Sequence, residues 1–208
     1  MLTKGRETLS ENLLVMHCSP TLAGMKTGNL FSCHCCCSKQ LHNFVAYWNG
    51  KLNQKGVYIK VMQLKNERAL IYVYRKAKLE AAISCREIRR FLESNGYDCS
   101  RPEKMIEEML NRLARRICRK EEFPHEIGVF LGYPFEDVKG FIENEGKNYK
   151  FVGQWKVYSD EASARELFSK YKKCTDIYCR CFEEGRQLTH LTVAPAGSRA
   201  TKAAAASF

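Results

Sequence analysis

The residues best suited to chemistry lie near the amino terminus, where a His-Cys pair follows a short apolar run. Leu13 to Met16 is apolar, His17 and Cys18 come next, and a loop of small residues follows. A thiolate becomes a nucleophile when a helix amino terminus or a nearby cation lowers its pKa. We therefore interpret Cys18 as a candidate catalytic thiol and His17 as a candidate ligand contact. The alternative is a buried cysteine that only fills the core.

The loop after Cys18 carries groups suited to binding an anion. It contains the cation of Lys26 and the hydroxyl of Thr27. Two glycines, Gly24 and Gly28, allow a ligand to approach the backbone closely. Such groups bind a carboxylate or a phosphate. Their spacing differs from the G-x-x-x-x-G-K-S/T motif, so this loop is not a nucleotide phosphate loop of that class. We predict ligand contacts from these residues, and a turn with a solvated lysine is the alternative.

A second candidate region is the irregular apolar segment 123–134, which contains His125, Glu126 and Tyr133. His125 is a candidate catalytic base or cation for Cys18 if the two segments meet, and Glu126 and Tyr133 are candidate ligand contacts. Val129 occupies the position of the second histidine of H-E-x-x-H, which excludes that zinc motif. The alternative is a histidine that only fixes the loop.

The chain contains 11 cysteines at irregular spacing, an odd number that favours reduced thiols over a disulfide framework. The run from Cys33 to Cys37 includes a C-x-x-C, but zinc or an iron–sulfur cluster needs a second pair. Cys179 and Cys181 lie about 200° apart on an ideal helix, so they cannot face one ion. We predict no metal site, the cofactor stays unknown, and a metal-handling or redox protein is an alternative.

Composition indicates a globular protein, since 45% of the 208 residues are hydrophobic. The apolar runs are too short for a membrane span or a signal peptide, so we expect a cytoplasmic protein without a membrane partner. The net charge of +11 permits a basic module that binds nucleic acid or protein. Acidic residues interleave with the basic ones and no nucleic-acid motif is present, so that alternative is not favoured.

Hydrophobic periodicity and turn residues predict the elements that position these groups. The predicted strands are 13–18, 57–64, 69–74, 151–157 and 188–193, and 21–30 is a loop or short helix. The predicted helices are 39–52, 84–94, 101–119, 134–146 and 160–185. This order predicts an α/β (α+β) fold in a single compact domain, 1–193, with a small mixed sheet flanked by helices and a long C-terminal helix. We expect the alanine-rich tail, 194–208, to be disordered.

Several of these segments resemble the motifs of one family, namely 17–31, 68–75, 123–144, 155–158 and 171–174. They are similar to domain-of-unknown-function family 3793, found mostly in anaerobic bacteria, over roughly residues 10–193. The resemblance implies no activity, but it pairs the Cys18 loop with the His125 segment as two halves of one site. The cysteine cluster 33–37 departs from the family pattern. We therefore predict a protein that binds a small molecule or anion, with thiol chemistry at Cys18.

Overall fold

The structure, a computed structural model, describes residues 8–100, 104–119 and 123–195. Its strands are β1 (Gly28–His34), β2 (Val57–Lys65), β3 (Arg68–Arg75), β4 (Phe151–Val152) and β5 (Lys156–Val157). Its helices in the first half are α1 (Glu11–Leu22), α2 (Ser38–Leu52), α3 (Lys76–Ser84) and α4 (Arg86–Ser94). Those in the second half are α5 (Met105–Cys118), α6 (Ile127–Leu131), α7 (Phe135–Glu143), α8 (Glu161–Glu183) and α9 (Leu188–Leu191). The predicted tail lies outside the described residues beyond Pro195.

The main sheet has three strands in the order β1-β3-β2. The predicted hairpin is confirmed, because β2 and β3 pair antiparallel around Asn66 and Glu67, whose φ angles are 49° and 56°. Those left-handed angles suit the two-residue turn that matches strand twist. The strand pairs are antiparallel, so the prediction of a mixed sheet is corrected, and the parallel contact in the described chain is an isolated bridge between Thr8 and His34. The mixed α/β fold class is confirmed.

Helices cover both faces of the sheet, which explains why its central strand is apolar or aromatic from Ala69 to Tyr74. On β3, Ile71 and Val73 pack into a core that α1 and α2 share. Tyr72 and Tyr74 point the other way, into a core built with α3, α5, α6 and α7. A smaller cluster around Trp155 joins the β4–β5 hairpin to α8. The long α8, predicted from its stripe, begins after Asp160, whose side chain caps the Ser163 N–H.

The predicted strand 13–18 is wrong, since these residues lie in α1. Most of that helix is buried, and only Met16 among its large apolar residues is exposed. A helix buried nearly all round shows no amphipathic period, so a short apolar run reads equally as a strand. The first strand is β1, which begins at Gly28 inside the segment 21–30 that we expected to be a loop or a short helix and continues to His34.

Three other predicted features also differ in the structure. The predicted strand 151–157 is two short strands, β4 and β5, which pair with each other. The predicted strand 188–193 contains the short helix α9 instead. The predicted capping box at Ser84 does not form, because the Ser84 hydroxyl donates to the Ala81 carbonyl and α4 starts after Cys85. Within the described ranges, no helix combines the length and apolar character needed to cross a membrane.

Candidate functional site

Lys26 lies in the tight turn between α1 and β1, enclosed by aromatic rings. The turn forms because the Met25 and Lys26 N–H groups donate to the Pro20 carbonyl, and Gly24 adopts a left-handed φ of 79°. The Lys26 side chain is buried, with Nζ 5.3 Å from the centre of the Tyr133 ring and 5.8 Å from that of Tyr171. Both distances are within the range of a cation–π interaction.

The Lys26 ammonium has no acidic partner among the residues that the structure describes. Its hydrogen bond runs to the Gln154 side-chain oxygen at 3.3 Å. Burial lowers the pKa of Lys26 to about 8, and the nearby Cys18 opposes that change. An uncompensated buried ammonium is costly, so this residue stands out among the predicted ligand contacts.

Cys18 is a fully buried thiol on the core-facing side of α1. Burial raises the pKa of Cys18 far above its ordinary value, and the positive charge of Lys26 offsets only part of this. A thiol in that state is poorly ionised at neutral pH, whereas a nucleophilic cysteine needs a lowered pKa. The neighbouring His17 is half-buried and stacks on Phe31 with ring centres 5.0 Å apart.

The structure does not bring Cys18 and His125 together. Cys18 belongs to the core on the α1 face of the sheet. His125 lies on the opposite side, where its ring is 4.8 Å from Phe141 and 6.1 Å from Phe123. The predicted pair of thiol and base therefore has no geometric support.

The two segments that the resemblance pairs do touch, at other residues. Lys26 meets Tyr133, and Thr27 packs so closely on Gly132 that a Cβ added there would lie 2.5 Å from the Thr27 hydroxyl. Gly28 packs beneath the Tyr72 ring, where a Cβ would lie 2.6 Å from a ring carbon. Gly24 lies beside the Arg75 guanidinium. Thr27, Gly24 and Gly28, which we predicted to contact a ligand, thus pack against other segments of the chain.

Glu126 faces away from this region and forms a buried ion pair. Its carboxylate lies 2.8 Å from an Arg116 guanidinium nitrogen and accepts a 2.7 Å hydrogen bond from the Tyr97 hydroxyl. Glu126 is 2% exposed, so the pair ties the 123–134 segment to α5. Removing one partner of such a pair would leave a buried charge unpaired.

A cavity of about 440 Å³ opens beside Tyr133, between the α6–α7 region and the β4–β5 hairpin. Most of its walls are apolar or aromatic, among them Leu30, Phe123, Leu131, Val138, Phe141, Val152 and Trp155. The polar side chains around it are His125, Asp137, Gln154 and Lys156. Tyr133 stacks face to face on Trp155 with ring centres 4.6 Å apart, and both residues contribute to the wall of the cavity.

Asp137 holds the Trp155 wall in place. One of its carboxylate oxygens accepts hydrogen bonds from the Tyr158 and Ser159 N–H groups and from the Ser159 hydroxyl, and the other accepts from the Trp155 indole at 2.7 Å. Burial raises the pKa of Asp137, but these hydrogen bonds outweigh it and hold the pKa below its usual value. Neither Asp137 nor Gln154 is among the site residues predicted from the sequence. The resemblance includes Asp137, within 123–144, but its segment 155–158 begins just after Gln154.

The comparison with known families covers this whole region. Residues 14–192 match a family described as "Protein of unknown function (DUF3793)". The chain belongs to this family. No curated protein and no solved structure matches it. The matched range of the DUF3793 domain includes Lys26, the 123–134 segment and the cavity, but the family description assigns none of them a role.

The cysteines of the DUF3793 domain do not assemble into a metal centre in the part of the chain described. All 11 are free, and no group of three or more His, Cys, Asp or Glu side chains could hold an ion there. In the 33–37 cluster, Cys33 and Cys35 are buried, Cys36 is exposed, and the Cys35 thiol donates to the Cys37 carbonyl. The structure thus offers no donor set for the metal-handling alternative among these residues.

One group of basic residues in the DUF3793 domain lies at the carboxyl-terminal end of α5. Four arginines line one cleft there, Arg112, Arg115, Arg116 and Arg119. Two of them also support the fold, since Arg116 pairs with Glu126 and Arg112 donates to the Asn95 carbonyl. Part of the positive charge that suggested a nucleic-acid partner therefore has a structural use.

Proposed function

We propose that this DUF3793 domain is a binding protein for a small, largely apolar organic molecule held in the cavity beside Trp155. The observation that carries the proposal is the combination of aromatic walls with a few polar groups, His125, Gln154 and Lys156. Binding sites for small molecules are typically concave, mostly apolar and of this volume. The aromatic side chains of the lining, among them Phe123, Tyr133 and Trp155, suit a ligand with an aromatic ring.

The cavity walls are held in place before any ligand arrives, which supports binding as the function. Asp137 fixes the Trp155 indole by a hydrogen bond. Phe168 packs edge-on against the same ring, with ring centres 4.4 Å apart. Lys156 donates to the Gly146 carbonyl, so its stem is anchored at the rim. A wall that is already ordered loses little conformational entropy on binding, and this improves affinity.

We place the protein in the cytoplasm as part of the same proposal. The support is that all 11 cysteines are free, including the exposed Cys36, Cys85 and Cys118. Exposed thiols persist in a reducing compartment and oxidise outside it.

The proposal gives Cys18 no chemical role, and alkylation checks this. In the native protein we expect iodoacetamide to modify Cys36, Cys85 and Cys118 at least about 100-fold faster than Cys18, since a buried, protonated thiol reacts slowly. Peptide mass spectrometry measures the rates. The control is the protein in denaturant, where all cysteines should react at similar rates. Native labelling of Cys18 as fast as that of the exposed cysteines would restore the reactive-thiol hypothesis.

Filling the cavity should weaken binding of an apolar probe. Val152 is 52% exposed at the cavity rim, so the larger side chain of Val152→Trp can occupy part of the cavity without disturbing the core. We expect it to weaken binding of phenylnaphthylamine, an uncharged probe that fluoresces in apolar sites, by about tenfold or more. Fluorescence titration measures the dissociation constant.

The matched control is Ile177→Trp, on a 42% exposed residue of α8 that does not line the cavity. It should bind the probe as the unmodified protein does. The proposed function fails if the unmodified protein does not bind phenylnaphthylamine. It also fails if the two variants bind the probe equally well.

A further inference from the structure

The Lys26 ammonium lacks the counter-charge that a buried cation needs, and it lies directly behind the cavity wall. The residue is 4% exposed, and its neighbours are the Tyr133 and Tyr171 rings and the Gln154 side-chain oxygen. An ammonium group has three hydrogens to donate, and the one acceptor found in the described chain lies at 3.3 Å. A buried charge without a partner is rare unless something else supplies the opposite charge.

Two of these neighbours also form the cavity wall. Tyr133 and Gln154 contact Lys26 on one side and line the cavity on the other. Gln154 is exposed, so its amide can turn aside at little cost. A carboxylate entering at that end of the cavity can then take the place of the Gln154 oxygen on the ammonium. Charge-assisted hydrogen bonds of this kind are stronger than the bond to a neutral amide that they replace.

We propose that the ligand of the cavity is an aromatic or apolar carboxylic acid whose carboxylate is held by Lys26. This inference rests on the proposed function, because it names the class of molecule that the same cavity takes. The apolar walls bind the body of the acid, and Lys26 supplies the counter-charge at the end near Gln154. The ligand is thus recognised by an apolar ring system with one anionic group.

Naphthoate and naphthamide test the proposal, since they differ by a carboxylate in place of a neutral amide of nearly the same shape. Each is titrated against bound phenylnaphthylamine, and displacement gives its affinity. We expect naphthoate to bind the unmodified protein about tenfold tighter than naphthamide. Lys26→Met keeps the side-chain length and removes the charge, so it should abolish that preference and bind naphthoate and naphthamide with equal affinity.

Two further variants separate Lys26 from general electrostatics and from misfolding. Lys173→Met removes an exposed charge on α8 and should keep the naphthoate preference. Gln154→Glu places a carboxylate beside Lys26 at an exposed position, so the fold should tolerate it. We expect this built-in carboxylate to weaken naphthoate binding about tenfold more than it weakens naphthamide binding. Melting temperatures show that each variant is folded.

The preference for naphthoate should also depend on pH. Lys26 is cationic below its pKa, which burial lowers to about 8, so the preference is largest near pH 7 and declines as the pH rises through that range and above it. The titratable groups facing Lys26 are Cys18, Tyr133 and Tyr171, and burial raises the pKa of each. They stay neutral while Lys26 titrates. Lys26→Met should show no such decline.

The outcomes distinguish this proposal from the one on which it rests. If phenylnaphthylamine does not bind, the proposed function itself fails. If it binds but naphthoate and naphthamide have equal affinity, the cavity binds apolar molecules and the role of Lys26 is refuted. A naphthoate preference that survives in Lys26→Met also refutes that role.

Discussion

Arg75→Met should lower the free energy of unfolding by about 4 kcal/mol, the largest effect that we expect from one substitution in this chain. Arg75 ends β3 and is 6% exposed. Its guanidinium donates to four backbone carbonyl oxygens, those of Thr21, Leu22, Lys55 and Val193, at 2.6, 2.5, 3.3 and 2.8 Å. Methionine fills similar space but removes these donors. The Lys55 and Val193 carbonyls lose their side-chain donor, and those of Thr21 and Leu22 keep only the N–H groups of Gly24 and Val193.

The effect is large because one side chain donates hydrogen bonds to carbonyl groups at the ends of several elements. The last carbonyls of a helix have no partner within it, and those of Thr21 and Leu22 end α1. The Lys55 and Val193 carbonyls belong to the turn before β2 and to the segment after α9. A buried carbonyl that loses its donor costs about 1–3 kcal/mol. Arg75 therefore joins the sheet to the end of α1 and to the segment after α9.

Urea unfolding measures the change, with Arg68→Met as the matched control. Arg68 begins the same strand, but it is exposed and donates to the Ser32 hydroxyl. A surface substitution of this kind usually changes stability by less than about 0.5 kcal/mol. Equal losses in the two variants would show that the carbonyl cluster around Arg75 contributes little.

Helices and strands with one buried face can be predicted from the sequence, because their apolar residues recur with a clear period. Fully buried or very short elements cannot. The hairpin of β2 and β3 is predictable because alternating residues flank a turn at Asn66 and Glu67. The long α8 is predictable because its stripe of buried residues keeps a helical period behind the Asp160 cap. In α1 the polar face is missing, so no period distinguishes a helix from a strand.

That one misassigned element also decides what happens to the predicted thiol. A strand would present Cys18 at its end, next to the loop. In a helix, Leu14, Cys18 and Leu22 recur at a spacing of four residues and face the same core. The predicted thiol is therefore a core residue for the same reason that the predicted strand is a helix.

The contact between Lys26 and Tyr133 shows what a family resemblance adds to local patterns. No periodicity relates two loops separated by more than 100 residues, yet the resemblance placed them in one site, and the structure brings Lys26 and Tyr133 within 5.3 Å. The partners that complete the arrangement, Gln154 and Asp137, act through tertiary contacts. A single sequence carries no local signal for such contacts, because they depend on how distant elements pack.

Asp137→Asn should lower the free energy of unfolding by about 3 kcal/mol at neutral pH. An asparagine oxygen can keep the hydrogen bonds from Tyr158 and Ser159, but its amide N–H₂ then faces the Trp155 indole N–H. Two buried donors oppose each other there, and the charge that strengthened the other bonds is lost. Trp155→Phe removes one of these donors, so the double variant should lose less stability than the sum of the single variants.

The loss in Asp137→Asn should shrink in acid. Hydrogen bonding holds the pKa of Asp137 below its ordinary value of about 3.9, so in that range the unfolded chain binds more protons than the folded one, and stability rises with pH. The contribution is complete above about pH 5 and is lost as the pH falls through the folded pKa. Asparagine does not titrate, so urea unfolding at pH 7 and pH 3 should show the two proteins converging.

The same substitution connects the fold to the proposed binding site. Because Asp137 orients the Trp155 ring, Asp137→Asn should also weaken phenylnaphthylamine binding about threefold or more while the protein remains folded. Asp160→Asn is the matched control, since Asp160 caps α8 at the surface and does not line the cavity. A stability loss without any change in probe binding would mean that the Trp155 wall is not part of the binding surface. In that case Asp137 only stabilises the fold.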